Sequence, residues 1–482
     1  MLTSGDAVRL AERLHLRLLH RRPKIARLES YFAGDQALAF ASKSWQTVHR
    51  GRYDNFADNW CGVVGRAAAE RTELLGLRVG EDADVLSPSE AQLMRDWSAN
   101  DGEAQSAQGF LSGAVTGRSF ATVWGDSNDE PLLRWEHSAQ TIVDYDDMGQ
   151  PTAALKCWEH DGTEHVTLYT PDAVWKWTRE APDEPGERPV WAVRLPEVTG
   201  DDVWPLPNPL GVVPVVEFPN RPILGTGPVS DIAGVIPMQN AVNLMWAYLF
   251  GAADYASMPA RVVMGQEPPK MPVLDDKGTV VGEKPVDREA LQEGRMLWLT
   301  GKETSIGQWD AAKLDVFTGV LHVMVKHLAS QTRTPIHYIM GELGNVNGET
   351  LTATELPLAF KVREGHKHLT QPLREVFRRF ALVRGNQALA DECRSARFEW
   401  ANPETATDAQ LADAALKDIQ IGLPLETVLA RRHRMSPSEI ADVMAKREAQ
   451  AADPYLAGKL GGSVDGAGVA ESGGEVSGVA VS

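Results

Sequence analysis

The stretch HYIMGELGNVNGETLTATE, residues 337–355, lies between two segments whose apolar spacing predicts long helices. Glycine and asparagine tolerate positive φ and are typical of mobile turns. A phosphate-binding P-loop needs Lys and then Ser or Thr after its last glycine, and Glu349 stands there instead. The stretch is therefore a plain helix connection or a loop with another role. Its centre is small and uncharged: Gly344, Asn345, Val346, Asn347 and Gly348.

Composition limits what the chain can be. Its 482 residues allow roughly three domains. Of these residues 43% are hydrophobic, which permits a sizeable core, and the formal net charge is -18. A chain this acidic is not suited to gripping nucleic acid over its whole surface, although it can contact DNA locally.

The cysteines and the N-terminus indicate a soluble protein. Cys61, Cys157 and Cys393 are odd in number and far apart, so we expect no disulfide framework and a reducing compartment. Residues 7–24 carry an arginine every few positions, which predicts an amphipathic helix and not a signal peptide. We find no apolar run near the roughly 20 residues that a membrane helix needs.

The first half of the chain mixes helix and strand. Apolar spacing predicts one helix over residues 56–75, with Leu74 on its buried face, and a second helical stretch over residues 89–115. After this stretch, apolar residues recur at every second position and no longer at helical spacing. This alternation predicts an antiparallel meander in which Trp175 and Trp177 share one face. Its strand segments are SFATVWG, LRWEHSAQTIVDYD, AALKCWEH, HVTLYT and AVWKWTR.

The second half is mainly helical. Residues 232–250 and 314–328 predict two antiparallel helices, with a small module between them that contains the strand candidates RVVMG and RMLWLTG. A third helix is expected from about residue 349 to 384, kinked or broken near Pro357 and Pro372. Asn402-Pro403 and residues 436–439 predict further helix starts.

Sites with catalytic or metal-binding chemistry are poorly supported. Ser119 lies in TGRSFA, which superficially resembles a nucleophile elbow but opens a strand and lacks the second glycine. An esterase centred on Ser119 would also have no identified base. His366 and His368 are two apart on a helix and point to different faces, which favours solvated or partner-facing histidines over a metal site. We expect no cofactor and no metal.

Two segments suggest contact with DNA. Residues 425–447 resemble a helix-turn-helix, giving a DNA-binding regulator as the alternative function, although Glu439 and Asp442 would place acids on its reading face. The third helix carries six Lys/Arg against two acids over residues 361–379. This excess indicates an acidic neighbouring subunit, passing phosphates or a solvated face. Lys361, Arg363 and Lys367 are the candidate channel or inter-subunit residues.

Several stretches, taken in order, resemble one protein family. They are YFAGDQALAFAS, FADNWCGVVGRAAAER, PNPLGVVPVVEFPNRP with GPVSDIAGVIPMQNAVNLMWAYLFGAADYASMPARVVMG, RTPIHYIMGELGNVNGETLTATELPLAFKVRE, and FEWANPETATDAQLADAALKDIQIGLPLETVLARR. Together, over roughly residues 28–443, they resemble the portal proteins of tailed bacteriophages, in the SPP1-type portal family.

The resemblance implies an α+β portal fold, divided along the chain as follows. A mixed α/β wing occupies residues 1–229, and stem helices occupy 230–259 and 310–334 on either side of a β-containing clip at 260–309. A tunnel-loop region at 335–350 leads into a kinked channel helix at 351–396. A helical crown at 397–455 precedes a tail at 456–482, whose composition predicts disorder.

The resemblance also implies a function without catalysis. Subunits form a ring, usually of twelve, at the capsid vertex of the virion, after assembly in the bacterial host cytoplasm. Double-stranded DNA passes through the ring during packaging and ejection. Terminase and head-completion or adaptor proteins dock on it, major capsid and scaffolding proteins surround it, and no membrane is involved. Residues 344–348 match the tunnel loop that contacts DNA.

Elementary electrostatics agrees with such a loop. A DNA duplex carries one negative charge per about 1.7 Å of its axis, and six to ten phosphate contacts give tight, salt-sensitive binding. Small uncharged residues such as Asn345, Val346 and Asn347 can contact a moving duplex without trapping it.

Overall fold

The computed structural model describes residues 2–36, 56–80, 87–180, 190–194, 204–257, 261–264, 270–274, 280–285, 296–299, 305–308, 313–341, 348–404, 408–433, 435 and 437–452. Helices and strands are both abundant, and the fold is α+β, as the sequence predicts. The helices are α1 (Ser4–Ala33), α2 (Trp60–Ala69), α3 (Pro88–Ala99), α4 (Gly102–Thr116), α5 (Ile236–Ser257), α6 (Asp315–Thr332), α7 (Ile336–Met340), α8 (Gly348–Val383), α9 (Gln387–Glu392), α10 (Asp408–Gln420), α11 (Leu425–His433) and α12 (Pro437–Ala452).

The strands form several small sheets. They are β1 (Leu74–Arg78), β2 (Arg118–Gly125), β3 (Pro131–Glu136), β4 (Thr141–Tyr145), β5 (Pro151–His160), β6 (Thr163–Tyr169), β7 (Ala173–Glu180), β8 (Val190–Val193), β9 (Leu206–Pro207), β10 (Val215–Pro219), β11 (Arg261–Met264), β12 (Lys270–Leu274), β13 (Val280–Pro285), β14 (Met296–Leu299), β15 (Ser305–Gln308) and β16 (Arg397–Trp400). The sheet orders are β4-β5-β6-β7-β8 with β9 beside β7, β10-β2-β3, β1-β16, β14-β11-β15 and β12-β13.

The predicted meander is confirmed in strands β4 to β7, which pair antiparallel in chain order, and β8, which was not predicted, extends it beside β7. Trp175 and Trp177 are buried on one face of this sheet, with their ring centroids 5.8 Å apart. Helix α1 covers that face with small and aliphatic residues, among them Ala11 and Leu14. Its exposed side is also tied to the sheet, because Arg13 and Arg17 both bind the carboxylate of Asp144.

Strands β2 and β3 do not belong to the meander, which corrects the sequence-based prediction. LRWEHSAQTIVDYD contains two strands in two sheets, separated by a turn in which the amide of Gln140 donates to the carbonyl of His137. Strand β2 pairs with β3 on one edge and with the distant strand β10 on the other, where the register joins Ser119 to Phe218. Alternation alone cannot show which strands are partners, because the pairing is between segments about a hundred residues apart.

A central core forms around the C-terminal half of α8. Phe377 and Phe380 are fully buried, and Phe377 stacks on Trp97 of α3 with ring centroids 5.4 Å apart. Phe110 of α4 and Phe218 of β10 complete the same aromatic cluster. This packing fixes α8 against helices α3 and α4 and the β10-β2-β3 sheet.

Helices α5 and α6 pack together, and the predicted strand candidates between them are confirmed as β11 and β14. Val242 and Leu249 of α5 contact Leu321 of α6 in one buried cluster. The opposite side of α6 is apolar but exposed, since Val316, Val320 and Val323 retain 63%, 41% and 54% of their accessible surface.

Three predicted helix boundaries are wrong. The helix expected over 56–75 ends at Ala69, and Leu74 begins β1, which pairs with the distant strand β16. The stretch 89–115 is two helices, because Asp101 adopts φ 51° and Gly102 lies so close to Trp97 that a Cβ would meet its ring at 2.3 Å. Asn402 starts no helix within 401–404; its side chain accepts the amide of Glu404 instead.

Helix α8 runs without a break through Pro357 and Pro372, so of the kink or break expected at these prolines the break does not occur. A proline inside a helix removes one backbone hydrogen bond, and tertiary packing outweighs that cost here. Among the described residues, we find no helix that combines the length and the apolar character needed to cross a bilayer.

Candidate functional site

The predicted tunnel loop is mostly outside the described residues. Gly344, Asn345, Val346 and Asn347 belong to the range 342–347, which the structure does not describe, and Gly348 is the first residue of α8. The chain approaches this range along α7, which Gly341 ends in the left-handed conformation at φ 65°. The site can therefore be built from the two helices that flank the range.

Arg71 connects both flanking helices. Its Nη1 donates to Glu355 Oε2 of α8 at 3.2 Å and to the carbonyl of Pro403 at 3.0 Å. Its guanidinium also lies over the ring of Tyr338 of α7, 5.3 Å from the centroid. The second carboxylate oxygen of Glu355 lies 3.3 Å from Nε2 of His337. We call these five residues the Arg71 joint.

The ion pair at the centre of the Arg71 joint is largely shielded from solvent, whereas Tyr338 at its edge is exposed. The side chains of Arg71 and Glu355 retain only 11% and 8% of their accessible surface. Burial by itself would lower the pKa of Arg71, but hydrogen bonds to Glu355 and Tyr338 raise it above its ordinary value. Arg71 is therefore charged at every physiological pH. No sequence signal predicts this joint, because Arg71 and Glu355 are 284 residues apart and no motif marks them.

Lys361 is inside the molecule. Its ammonium lies 2.7 Å from Asp231 Oδ2, and both side chains are almost completely buried. Asp231 Oδ1 also accepts hydrogen bonds from Asn220 and Arg221. Burial alone would raise the pKa of Asp231, but the charges of Lys361 and Arg221 lower it below its ordinary value. The pair joins α8 to the segment that enters α5.

Arg363 and Lys367 are exposed on α8. Arg363 binds Glu404 at 2.5 Å, and its side chain retains 44% of its surface. Of the other basic residues in 361–379, Arg379 is buried, donates to the carbonyl of Val213 and pairs with Glu375. Much of the basic excess on this helix is therefore neutralised inside the chain. The channel or inter-subunit role of Arg363 and Lys367 stays a prediction.

His366 is neither solvated nor on an exposed partner-facing surface, which corrects its sequence-based interpretation. Its ring stacks on Trp400 of β16 at a centroid distance of 4.2 Å and an angle of 6°. Burial, and then the positive charge of Arg363, lower the pKa of His366 to about 4. The ring is therefore neutral at pH 7 and acts as a packing group between α8 and β16.

Three possible metal ligands meet where α1 covers the meander: His15, Cys157 and Glu164. Glu164 already accepts hydrogen bonds from His15 at 2.9 Å and from Arg179 at 2.7 Å. Arg22 lies 3.6 Å from the same carboxylate. Two guanidinium groups beside one carboxylate oppose the binding of a further cation. We assign this cluster to the attachment of α1 to the sheet.

The esterase alternative finds no support at Ser119. Its side chain is buried in β2, and its Oγ accepts the indole hydrogen of Trp135 at 3.2 Å. The nearby cavity, lined by small residues of α4 and by Lys361, has a volume of about 50 Å³. That holds a few water molecules at most and is far below the roughly 300–1,000 Å³ of small-molecule sites.

The segment 425–447 forms the helix pair α11 and α12. Glu439 and Asp442 are both exposed on α12, and Asp442 pairs with Lys446 one turn later. Val428 of α11 and Ile440 of α12 are buried. The exposed acids are unfavourable for a helix that enters a DNA groove, because they would face phosphates.

Residues 76–453 match the family described as phage portal protein, SPP1 Gp6-like. The chain belongs to this family. Portal proteins are components of the phage virion, and the role of this chain is accordingly structural.

Two curated portal proteins are similar to this one. The portal protein of Mycobacterium phage D29 is 28% identical over 370 residues, which cover 72% of this chain and 70% of the relative. That of Mycobacterium phage L5 is 27% identical over 372 residues, with 73% and 70% covered. A chain in the solved virion of a native gene transfer agent (GTA) particle superposes with a TM-score of 0.41 at 13% identity, covering 79% of this chain and 94% of that one. That TM-score is too low to support an argument, so membership rests on sequence.

Proposed function

We propose that this portal protein assembles into a ring, usually of twelve subunits in its family, that conducts double-stranded DNA into and out of the capsid. The observation that carries the proposal is the family match, which spans both the α5–α6 helix pair and the residues around 342–347. The ring needs two different surfaces on each subunit, as heterologous interfaces do.

In this proposal, the portal domains correspond to the described elements in chain order. Helices α5 and α6 supply the stem, and the strands β11 to β15 between them supply the clip. Strands β2 to β10 with helices α1 to α4 supply the wing, and α10 to α12 supply the crown. Terminase and head-completion proteins dock at the clip, and major capsid and scaffolding proteins contact the outer surfaces. The ring binds no cofactor and catalyses no reaction.

The loop at residues 344–348 contacts the moving DNA. Its residues are small and uncharged, so they limit sideways motion of the duplex without the tight binding that several lysines would produce. Of the three basic candidates Lys361, Arg363 and Lys367, the last two are exposed and are available to the channel or to a neighbouring subunit.

Deletion of Asn345 to Gly348 tests this function. The expected result is that rings form normally, whereas particles built with the variant contain less DNA or lose it after packaging. Subunit number is measured by mass determination of the purified rings, and DNA content by extraction from purified particles. Unchanged DNA content in particles that carry the deletion would overturn the role of the loop.

A further inference from the structure

Helix α2 is short and is attached at both ends by buried side chains. At its N-terminus, the side-chain carbonyl of Gln239 in α5 accepts the amide hydrogens of Trp60 at 2.8 Å and Cys61 at 3.2 Å. Gln239 has no accessible surface. Just past its C-terminus, Arg71 forms the joint with α7, α8 and the carbonyl of Pro403. A ten-residue helix spans about 15 Å, so α2 bridges these two attachments.

The Arg71 end joins three segments that are separate in sequence. One is α7, which leads into residues 342–347, and another is the second turn of α8, which leads out of them. The third is the stretch around Pro403, which precedes α10. One guanidinium thus fixes the chain on both sides of 342–347 and the approach to the C-terminal helices.

Arginine is suited to this arrangement and lysine is not. The guanidinium presents several N–H donors in a rigid plane and can serve a carboxylate, a carbonyl and an aromatic face together. A lysine would keep the charge but offers one compact ammonium on a flexible stem. Removing the arginine would also take away the guanidinium that pairs with the carboxylate of Glu355, whose side chain is 8% exposed.

We propose that Arg71 and Gln239 are positioning residues and that α2 is a rigid link between them. Through this link, helix α5 sets the position of α7 and of the start of α8, which flank residues 342–347, and of the stretch around Pro403 that leads to α10. This inference rests on the proposed function, since it concerns how the DNA-contacting loop is held. Loosening either attachment changes how DNA is retained, although neither residue contacts DNA.

Amide hydrogen exchange on the purified rings tests the link directly. In Arg71→Met, we expect exchange about tenfold faster or more in α7, in the first turns of α8 and in residues 401–404. Amide exchange in α1 and in strands β4 to β8, none of which contributes a residue to the joint, should be unchanged. Arg71→Lys should resemble Arg71→Met, because a single ammonium cannot serve all the acceptors. Gln239→Leu should raise exchange at the start of α2 and also in α7.

A matched control is the exposed ion pair between Arg333 and Glu364, which are 3.4 Å apart and retain 55% and 48% of their side-chain surfaces. Arg333→Met makes the same substitution, arginine to methionine, and removes an ion pair between the end of α6 and α8. It should leave both exchange and DNA retention unchanged. If Arg71→Met does not fold, Glu355→Gln, which keeps the shape and an acceptor oxygen, replaces it in the same measurements.

The outcomes separate this inference from the proposed function. Localised fast exchange in α7, α8 and 401–404, together with reduced DNA retention, supports the link. Faster exchange confined to residues near position 71, or DNA retention equal to wild type in Arg71→Met and Arg71→Lys, overturns it. The deletion of residues 345–348 reports on the loop itself, so loss of DNA there with normal retention in the Arg71 variants leaves the proposed function standing and refutes only the link.

Discussion

Buried ionic contacts of α8 decide the roles of its basic residues. Lys361 and Arg379 would be counted as surface charges from the sequence, yet both are buried and paired, with Asp231 and Glu375 respectively. Breaking such a pair by removing one partner usually costs about 3–5 kcal/mol, because the remaining charge loses its compensation inside the protein. Lys361 thus stabilises the chain internally, while Arg363 and Lys367 remain accessible.

His366 gives the protein a pH-dependent stability of predictable sign. Its pKa is lowered to about 4, chiefly by burial, whereas an unfolded chain binds this proton near pH 6.5. Between these values the unfolded state holds more protons, so stability falls as the pH falls from 6.5 towards 4. The contribution amounts to about 2 kcal/mol between pH 7.5 and pH 5.

Replacement of His366 by Phe tests this assignment. The variant keeps an aromatic ring against Trp400 but cannot bind a proton, so it should lose that part of the pH dependence. The free energy of unfolding is measured in urea at both pH values and at fixed protein concentration. His160→Phe, at an exposed position, is the control and should retain the wild-type slope. Equal slopes in wild type and His366→Phe would show that His366 is not a buried neutral group.

Residue-level prediction from the sequence succeeded only where neighbours are local. Trp175 and Trp177 were assigned to one sheet face from alternation, and the structure confirms it. The Arg71 joint and the stacking of His366 on Trp400 were missed, because their partners lie far along the chain or on another element. No single-sequence pattern marks such contacts.

At the scale of elements, periodicity predicted most helices and strands but not their pairing. Helices α6 and α8 were expected within four residues of their observed bounds, α5 was expected but extends further towards its C-terminus, and strands β4 to β7 were expected in the observed order. The sequence could not show that β2 pairs with β10 or that β1 pairs with β16. Both pairings close long loops, and the two corrections that concern strands, Leu74 and the separation of β2 and β3 from the meander, lie in these sheets.

The exposed valine side of α6 predicts an inter-subunit contact. Val316, Val320 and Val323 lie opposite the buried face of that helix and are spaced as one helical stripe. We expect Val320→Asp to prevent or weaken ring formation by placing a charge in an apolar interface, while the fold of the chain is preserved. His322→Asp, which adds the same charge at another exposed position of α6, is the control.

Size-exclusion chromatography with mass determination gives the oligomeric state of both variants, and circular dichroism checks the fold. Rings of wild-type size and stability in Val320→Asp would exclude this side of α6 from the interface. A loss of rings in both variants would indicate a general effect of charge instead of a specific contact.

At the scale of the whole molecule, the net charge bears on the proposed DNA conduit. A net charge of -18 on each chain disfavours tight binding of DNA over the whole surface of the proposed ring. Sequence resemblance predicted the family, and the match over residues 76–453 confirms it. Subunit number and the arrangement of subunits depend on surfaces of several chains together, so one sequence does not determine them.

Negative-stain electron microscopy of the purified protein, combined with mass determination, tests the central proposal most directly. We predict rings with a central hole and a mass of about 630 kDa, which corresponds to roughly twelve copies of a 52.7-kDa chain. The same measurement is repeated with the scaffolding and capsid proteins present, because ring assembly can depend on them. A protein that stays monomeric under both conditions would contradict the proposal of a DNA-conducting ring.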